Sequence, residues 1–68
     1  MTKYTVKLRL RGDRAEATVT PADIYDYQEG RIREIGRKMY EIQTEAENPV
    51  WARQIADERL SEYMREKL

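Results

Sequence analysis

Arg11, Gly12 and Asp13 are the residues of this chain whose types and order could do chemistry together. An ionised Asp13 carboxylate is a hard oxygen ligand of the kind that Mg²⁺ or Mn²⁺ takes. The Arg11 guanidinium is a planar fork that matches a carboxylate. Gly12 accepts a positive φ without strain, so the three residues can form a tight turn that holds the two charged side chains apart. Arg14 follows and adds a second cation at the same place. This is the chemistry of binding, not of bond making.

Other chemistry is sparse. The chain has no histidine and no cysteine, which removes the commonest general base, the strongest nucleophile and the nitrogen and sulfur ligands of zinc. Ser61 is the only serine, and it falls on the polar side of a helical pattern with no histidine to act as its base. The carboxylates are spaced as helix-surface ion pairs, namely Glu29–Arg33, Glu34–Lys38 and Arg37–Glu41. There is no glycine-rich phosphate loop. We expect a non-enzymatic chain with no cofactor and no metal of its own. In a complex, Asp13 would ligate a metal held by the partner.

The turn must be carried by strands, and the flanking residues supply them. Tyr4, Val6, Leu8 and Leu10 alternate with Thr5, Lys7, Arg9 and Arg11; beyond the tip, Ala15, Ala17 and Val19 alternate with Glu16, Thr18 and Thr20. A two-residue turn at Gly12-Asp13 sets the register of a hairpin over 3–20. It places Leu10 opposite Ala15, Leu8 opposite Ala17 and Val6 opposite Val19 on one face, and Arg9 opposite Glu16 on the other. A type II′ turn suits Gly followed by Asp. Arg11 then faces Arg14, a mildly unfavourable pair unless both splay into water.

Lys7, Arg9, Arg11 and Arg14 share the solvent side of this ribbon. Two-stranded ribbons can enter a major groove. Glu16 interrupts the cations, the face has no aromatic residue, and the pI is about 6.3, which is not a nucleic-acid footprint. We expect no nucleic-acid partner. No apolar run is long enough to span a membrane and no signal peptide is evident, so a soluble protein without a membrane partner is expected.

Sixty-eight residues make a single domain with a small core. Net charge is zero, distributed as +3 over 1–20, −3 over 21–48 and zero over 49–68. A basic hairpin over an acidic helix is complementary within one fold. Thr20-Pro21-Ala22-Asp23 reads as a helix start. Ile24, Gln28, Ile32, Ile35, Met39, Ile42 and Ala46 then follow at helical spacing, which predicts helical structure over 21–47. Gly30 projects to the polar side and marks a break between a segment 21–29 and a main helix 31–47. Gly36 lies within the apolar face and is read as allowing close backbone approach. Asn48-Pro49 starts a second helix over 49–67, with Ala52, Ala56, Leu60 and Tyr63 as its apolar stripe. Glu58, Glu62 and Glu66 line its solvated side, bordered by Trp51 and Ile55 as core edge or as an exposed contact patch. The expected fold is α+β and two-layered: one β-hairpin packed on two helices, in the order β-β-α-α.

Two resemblances bear on function. Arg11-Gly12-Asp13 resembles the recognition tripeptide of integrin ligands. The resemblance implies that the Asp carboxylate binds a divalent ion on the receptor while the Arg reaches an acidic site on the receptor's other subunit. Arg14 and the short turn depart from that family, whose ligands carry a small or apolar residue next, on a longer loop. Clean binary patterning, Thr-Pro and Asn-Pro helix starts and charged helix faces resemble computationally designed miniproteins. The expected function is a monomeric protein-binding module presenting Arg11, Gly12, Asp13 and Arg14 to an integrin-type receptor. The alternatives are a designed scaffold without biological function, or a small phage-type protein that binds another partner through a strand edge, the basic hairpin face or Trp51.

Overall fold

Alternation decides the first two elements. In a computed structural model, which describes residues 1–67, β1 (Thr2–Arg11) and β2 (Arg14–Pro21) pair antiparallel. The register is the one the apolar pattern requires: Leu10 with Ala15, Leu8 with Ala17, Val6 with Val19, and Arg9 with Glu16 on the other face. Gly12 has φ +59°, and among the described residues Lys38 alone is a non-glycine with positive φ. Positive then negative φ across Gly12-Asp13 is the sign pattern of a type II′ turn.

The segment 21–47 is not helical, and the expected β-β-α-α order is corrected here. It forms a crossing loop, then β3 (Ile32–Gly36) and β4 (Met39–Ala46); α1 (Pro49–Glu66) follows. The fold is β-β-β-β-α, a four-stranded antiparallel sheet of order β2-β1-β4-β3 with one helix. The physical reason lies in β4. Tyr40, Ile42, Thr44 and Ala46 alternate with Glu41, Gln43 and Glu45, and all four are buried. A period of two and a period of 3.6 share Ile42 and Ala46, so the apolar positions fit both. Strand pairing wins because β1 has a second edge to satisfy, and β4 covers it from Thr2 opposite Ala46 to Arg9 opposite Met39. Isoleucine, tyrosine and threonine also favour a pleated surface over a helix.

Both glycines of the segment are breaks of a strand-and-loop path. Gly30 has φ +78° in the loop before β3. Gly36 precedes a two-residue turn at Arg37-Lys38, after a bulge between Glu34 and Gly36. A Cβ on Gly36 would make ordinary contact with Met39, so no helix packs closely on it. The expected start at Thr20–Asp23 opens no helix either. Asp23 caps a single turn, accepting from the Tyr25 N–H at 2.9 Å, while the Asp26 N–H donates to its carbonyl at 3.1 Å.

A strand order of β2-β1-β4-β3 obliges the loop 22–31 to cross the sheet. It does so on the face away from α1. The Gln28 N–H donates to Gln43 Oε1 at 2.8 Å, and Gln43 Nε2 donates to Thr5 Oγ1 at 3.3 Å. The loop then continues the ladder past β3, with the Gly30 N–H on Gln43 O at 2.8 Å and the Gln43 N–H on Arg31 O at 3.0 Å. The buried Gln43 side chain thus has a partner at both its oxygen and its nitrogen.

α1 begins where Asn48-Pro49 says it should. The Asn48 side chain accepts from the Trp51 N–H at 3.0 Å, with Pro49 in the first turn. Ala52, Ala56 and Leu60 are buried against Tyr4, Val6, Leu8, Tyr40 and Ile42, with Ile55 and Tyr63 packed beside them. The two alanines let the helix axis approach the sheet closely.

Candidate functional site

The tip is built by the register beneath it. Leu8 and Val6 are fully buried, so a slip of one residue would drive them into water, and the turn residues are therefore held in place. Arg11, Gly12, Asp13 and Arg14 are all exposed at the end of the β1–β2 hairpin. A Cβ built on Gly12 would meet nothing within 4 Å, so the backbone there is open to a partner. Arg11 Nε lies 3.6 Å from Glu16 Oε1, with both side chains more than half exposed. Such a pair contributes about 0–1 kcal/mol and yields readily to a stronger acceptor. Among the described residues Asp13 has no ion pair.

No family model, curated protein or solved structure matches this chain. The functional reading therefore rests on the residues themselves. Among the described residues no group of three or more His, Cys, Asp or Glu side chains could hold a metal ion. Likewise, no helix is long and apolar enough to cross a membrane.

A second tip lies beside the first, and sequence reasoning missed it. β1 pairs with β4 as far as Arg9 opposite Met39, and the Leu10 N–H donates to Lys38 O at 2.8 Å. The Arg37-Lys38 turn is thereby brought next to Arg11. The same end of the sheet carries Arg9, Arg11, Arg14, Arg37 and Lys38, against Asp13 and Glu16. The signal was Gly36-Arg37-Lys38 directly before the alternation of 39–46. The helical ion pairs expected for this segment are replaced. Glu41 accepts from Arg33 at 3.0 Å and faces Arg31 at 3.5 Å, and Glu29 pairs with Arg59 of α1 at 3.1 Å. On the hairpin's solvent face, Lys7 and Arg9 border a shallow cavity of about 290 Å³ with Glu16, Thr18 and Met39.

Glu29 fastens the crossing loop to the sheet and the helix. Besides Arg59, its carboxylate accepts from the Glu45 N–H at 3.0 Å, the Thr44 hydroxyl at 3.4 Å and the Tyr27 hydroxyl. Burial alone would raise its pKa. The hydrogen bonds from Tyr27, the Glu45 N–H and Arg59, with the Arg59 charge, outweigh burial and lower it. Tyr27 moves the other way, raised by burial and then by the hydrogen bond and charge of Glu29. A carboxylate with a lowered folded-state pKa stabilises the fold above its unfolded value, and that contribution is lost as pH falls through the folded value. Glu29→Gln is therefore expected to be less stable than the parent near neutral pH, with the gap closing below about pH 4.5. Urea midpoints of both proteins across that range check this; a gap independent of pH would contradict it.

Proposed function

We propose that this chain is a non-enzymatic protein-binding module that presents Arg11-Gly12-Asp13 to an integrin-type receptor. The observation that carries the reading is the tip itself: an exposed turn of Gly12-Asp13, flanked by Arg11 and Arg14, in a register held by buried Leu8 and Val6. Asp13 would supply one oxygen to a divalent ion held by the receptor. Arg11 would leave Glu16 and fork onto a receptor carboxylate. A turn already ordered before binding lowers the ordering cost of the contact. The same reading takes the chain as a designed miniprotein, because a capped helix start and two-residue hairpin turns are devices of that class. It binds as a monomer and needs no cofactor of its own.

Binding to a panel of integrins in Mg²⁺ and in EDTA tests the proposal. The parent is expected to bind only with the metal present. Asp13→Glu keeps the charge and the oxygen but adds a methylene, so the carboxylate and Arg11 no longer reach their sites together. Affinity is expected to fall about tenfold or more, while stability changes by under ~1 kcal/mol. No binding by the parent, or an affinity untouched by Asp13→Glu, would reduce the tip to a turn.

A further inference from the structure

Away from the tip, one flank of α1 sets a half-exposed tryptophan beside carboxylates that have no ion pair among the described residues. Trp51, Ile55, Glu62, Tyr63 and Glu66 follow one another along it at helical spacing. Two cavities lie beside this flank. The first, of about 330 Å³, has Met1, Ala46, Trp51 and Ile55 as its apolar lining and Glu45 and Glu47 at its rim. The second, of about 400 Å³, lies between Ile32 and Tyr63, with Glu29, Glu62 and Glu66 on its walls. Glu29, on the wall of the second, accepts from the N–H of Glu45 at the rim of the first and from Arg59. Trp51 is 49 % exposed. A half-exposed tryptophan at a cavity rim is a strong anchor for a partner.

Charge selects the occupant. Of the five glutamates that line the two cavities, Glu45 lies on the sheet face away from α1, in register with Lys3, which leaves Glu29, Glu47, Glu62 and Glu66 on this side. The cations on this side are Arg59, which Glu29 engages at 3.1 Å, the Met1 amine, and Lys67, whose Nζ lies 4.5 Å from the centre of the Tyr63 ring. Among the described residues Glu45, Glu47, Glu62 and Glu66 have no ion pair. Phosphates would be repelled, and a purely apolar partner would leave the carboxylates facing a dry surface. From Trp51 to Glu66 the flank runs ~22 Å, four turns of helix. We infer that this flank of α1 is a docking groove for a basic amphipathic helix of a partner protein, distinct from the Arg11-Gly12-Asp13 tip. Apolar side chains of that helix fill the cavities at Trp51 and Tyr63, and its lysines or arginines meet Glu47, Glu62 and Glu66.

The chain has a single tryptophan, so Trp51 emission reports on the groove directly. The probe is a synthetic amphipathic peptide of leucine and lysine about four turns long, with a leucine–glutamate peptide of the same pattern as control. The leucine–lysine peptide is expected to shift Trp51 emission to the blue, saturably and less tightly at higher salt; the control peptide is expected to leave it unchanged. The double variant Glu62→Gln, Glu66→Gln should weaken the titration about fivefold, with an unchanged melting curve. Asp13→Glu should titrate like the parent, which separates this groove from the tip. The inference is overturned by any of four results: no shift, an equal shift with the control peptide, an affinity indifferent to Glu62 and Glu66, or a blue shift on concentrating the protein alone. The last would make a second copy of this chain the occupant.

Discussion

Leu8→Ala is expected to lower the unfolding free energy by ~2–4 kcal/mol. Leu8 has no exposed surface, and β1 is an interior strand, with Ala17 on one side of Leu8 and Tyr40 on the other. Ala17 is too small to fill the space that the lost methyl groups leave. The helix contributes Ala52 and Ala56 to the same core, and neither can extend into the gap. A core of this size supplies about 3–5 kcal/mol in all, so this one truncation removes most of the margin. Arg9→Ala, one residue on and exposed on the opposite face, is expected to cost under ~1 kcal/mol. Urea unfolding of the two variants beside the parent measures both. Equal losses would mean that the two faces of β1 have been assigned wrongly.

Three isoleucines of one helical stripe are expected to behave differently. Ile42→Ala should cost ~2–4 kcal/mol, because Ile42 is fully buried and stands in register between Val6 of β1 and Ile32 of β3. Ile24 is 68 % exposed in the crossing loop and Ile35 is 39 % exposed at the bulge of β3. Neither buries enough surface for its truncation to cost more than ~1 kcal/mol. A helix over 21–47 would have set all three on one buried stripe and made their losses similar. Denaturation midpoints that fell alike for Ile24, Ile35 and Ile42 would therefore contradict the four-stranded sheet.

The segment 21–47 shows why a helical pattern can be a strand in disguise. Its apolar residues recur at three- and four-residue intervals, but Tyr40, Thr44 and the buried Gln43 belong to a shorter period. The Thr-Pro and Asp signals of a helix start are also the signals of a strand end followed by a one-turn cap, and Asp23 does the second. Local chemistry does not distinguish them. The deciding contact is between residues about forty positions apart, Thr2 with Ala46 and Tyr4 with Thr44. The candidate sites divide in the same way. The Arg11-Gly12-Asp13 turn was legible because its strands are its immediate neighbours in the chain. The acidic line of α1 and the Trp51 beside it were legible for the same local reason, but the Arg37-Lys38 tip was not, since it depends on which strands lie side by side.

The amino-acid sequence by itself determined three things about this protein: the hairpin and its register, the start and buried stripe of α1, and the exposed tip between Arg11 and Arg14. Each follows from interactions within one element or across one short turn, where alternation, capping and glycine chemistry act without help. Only the tertiary structure decided that 32–46 would be two strands, that Glu29 and Gln43 would tie the crossing loop down, and that cavities would lie beside Trp51 and Tyr63 of α1. The physical reason is that β1, with one edge paired to β2, still carries a second row of unpaired N–H and C=O groups, and β4 is the segment that satisfies it.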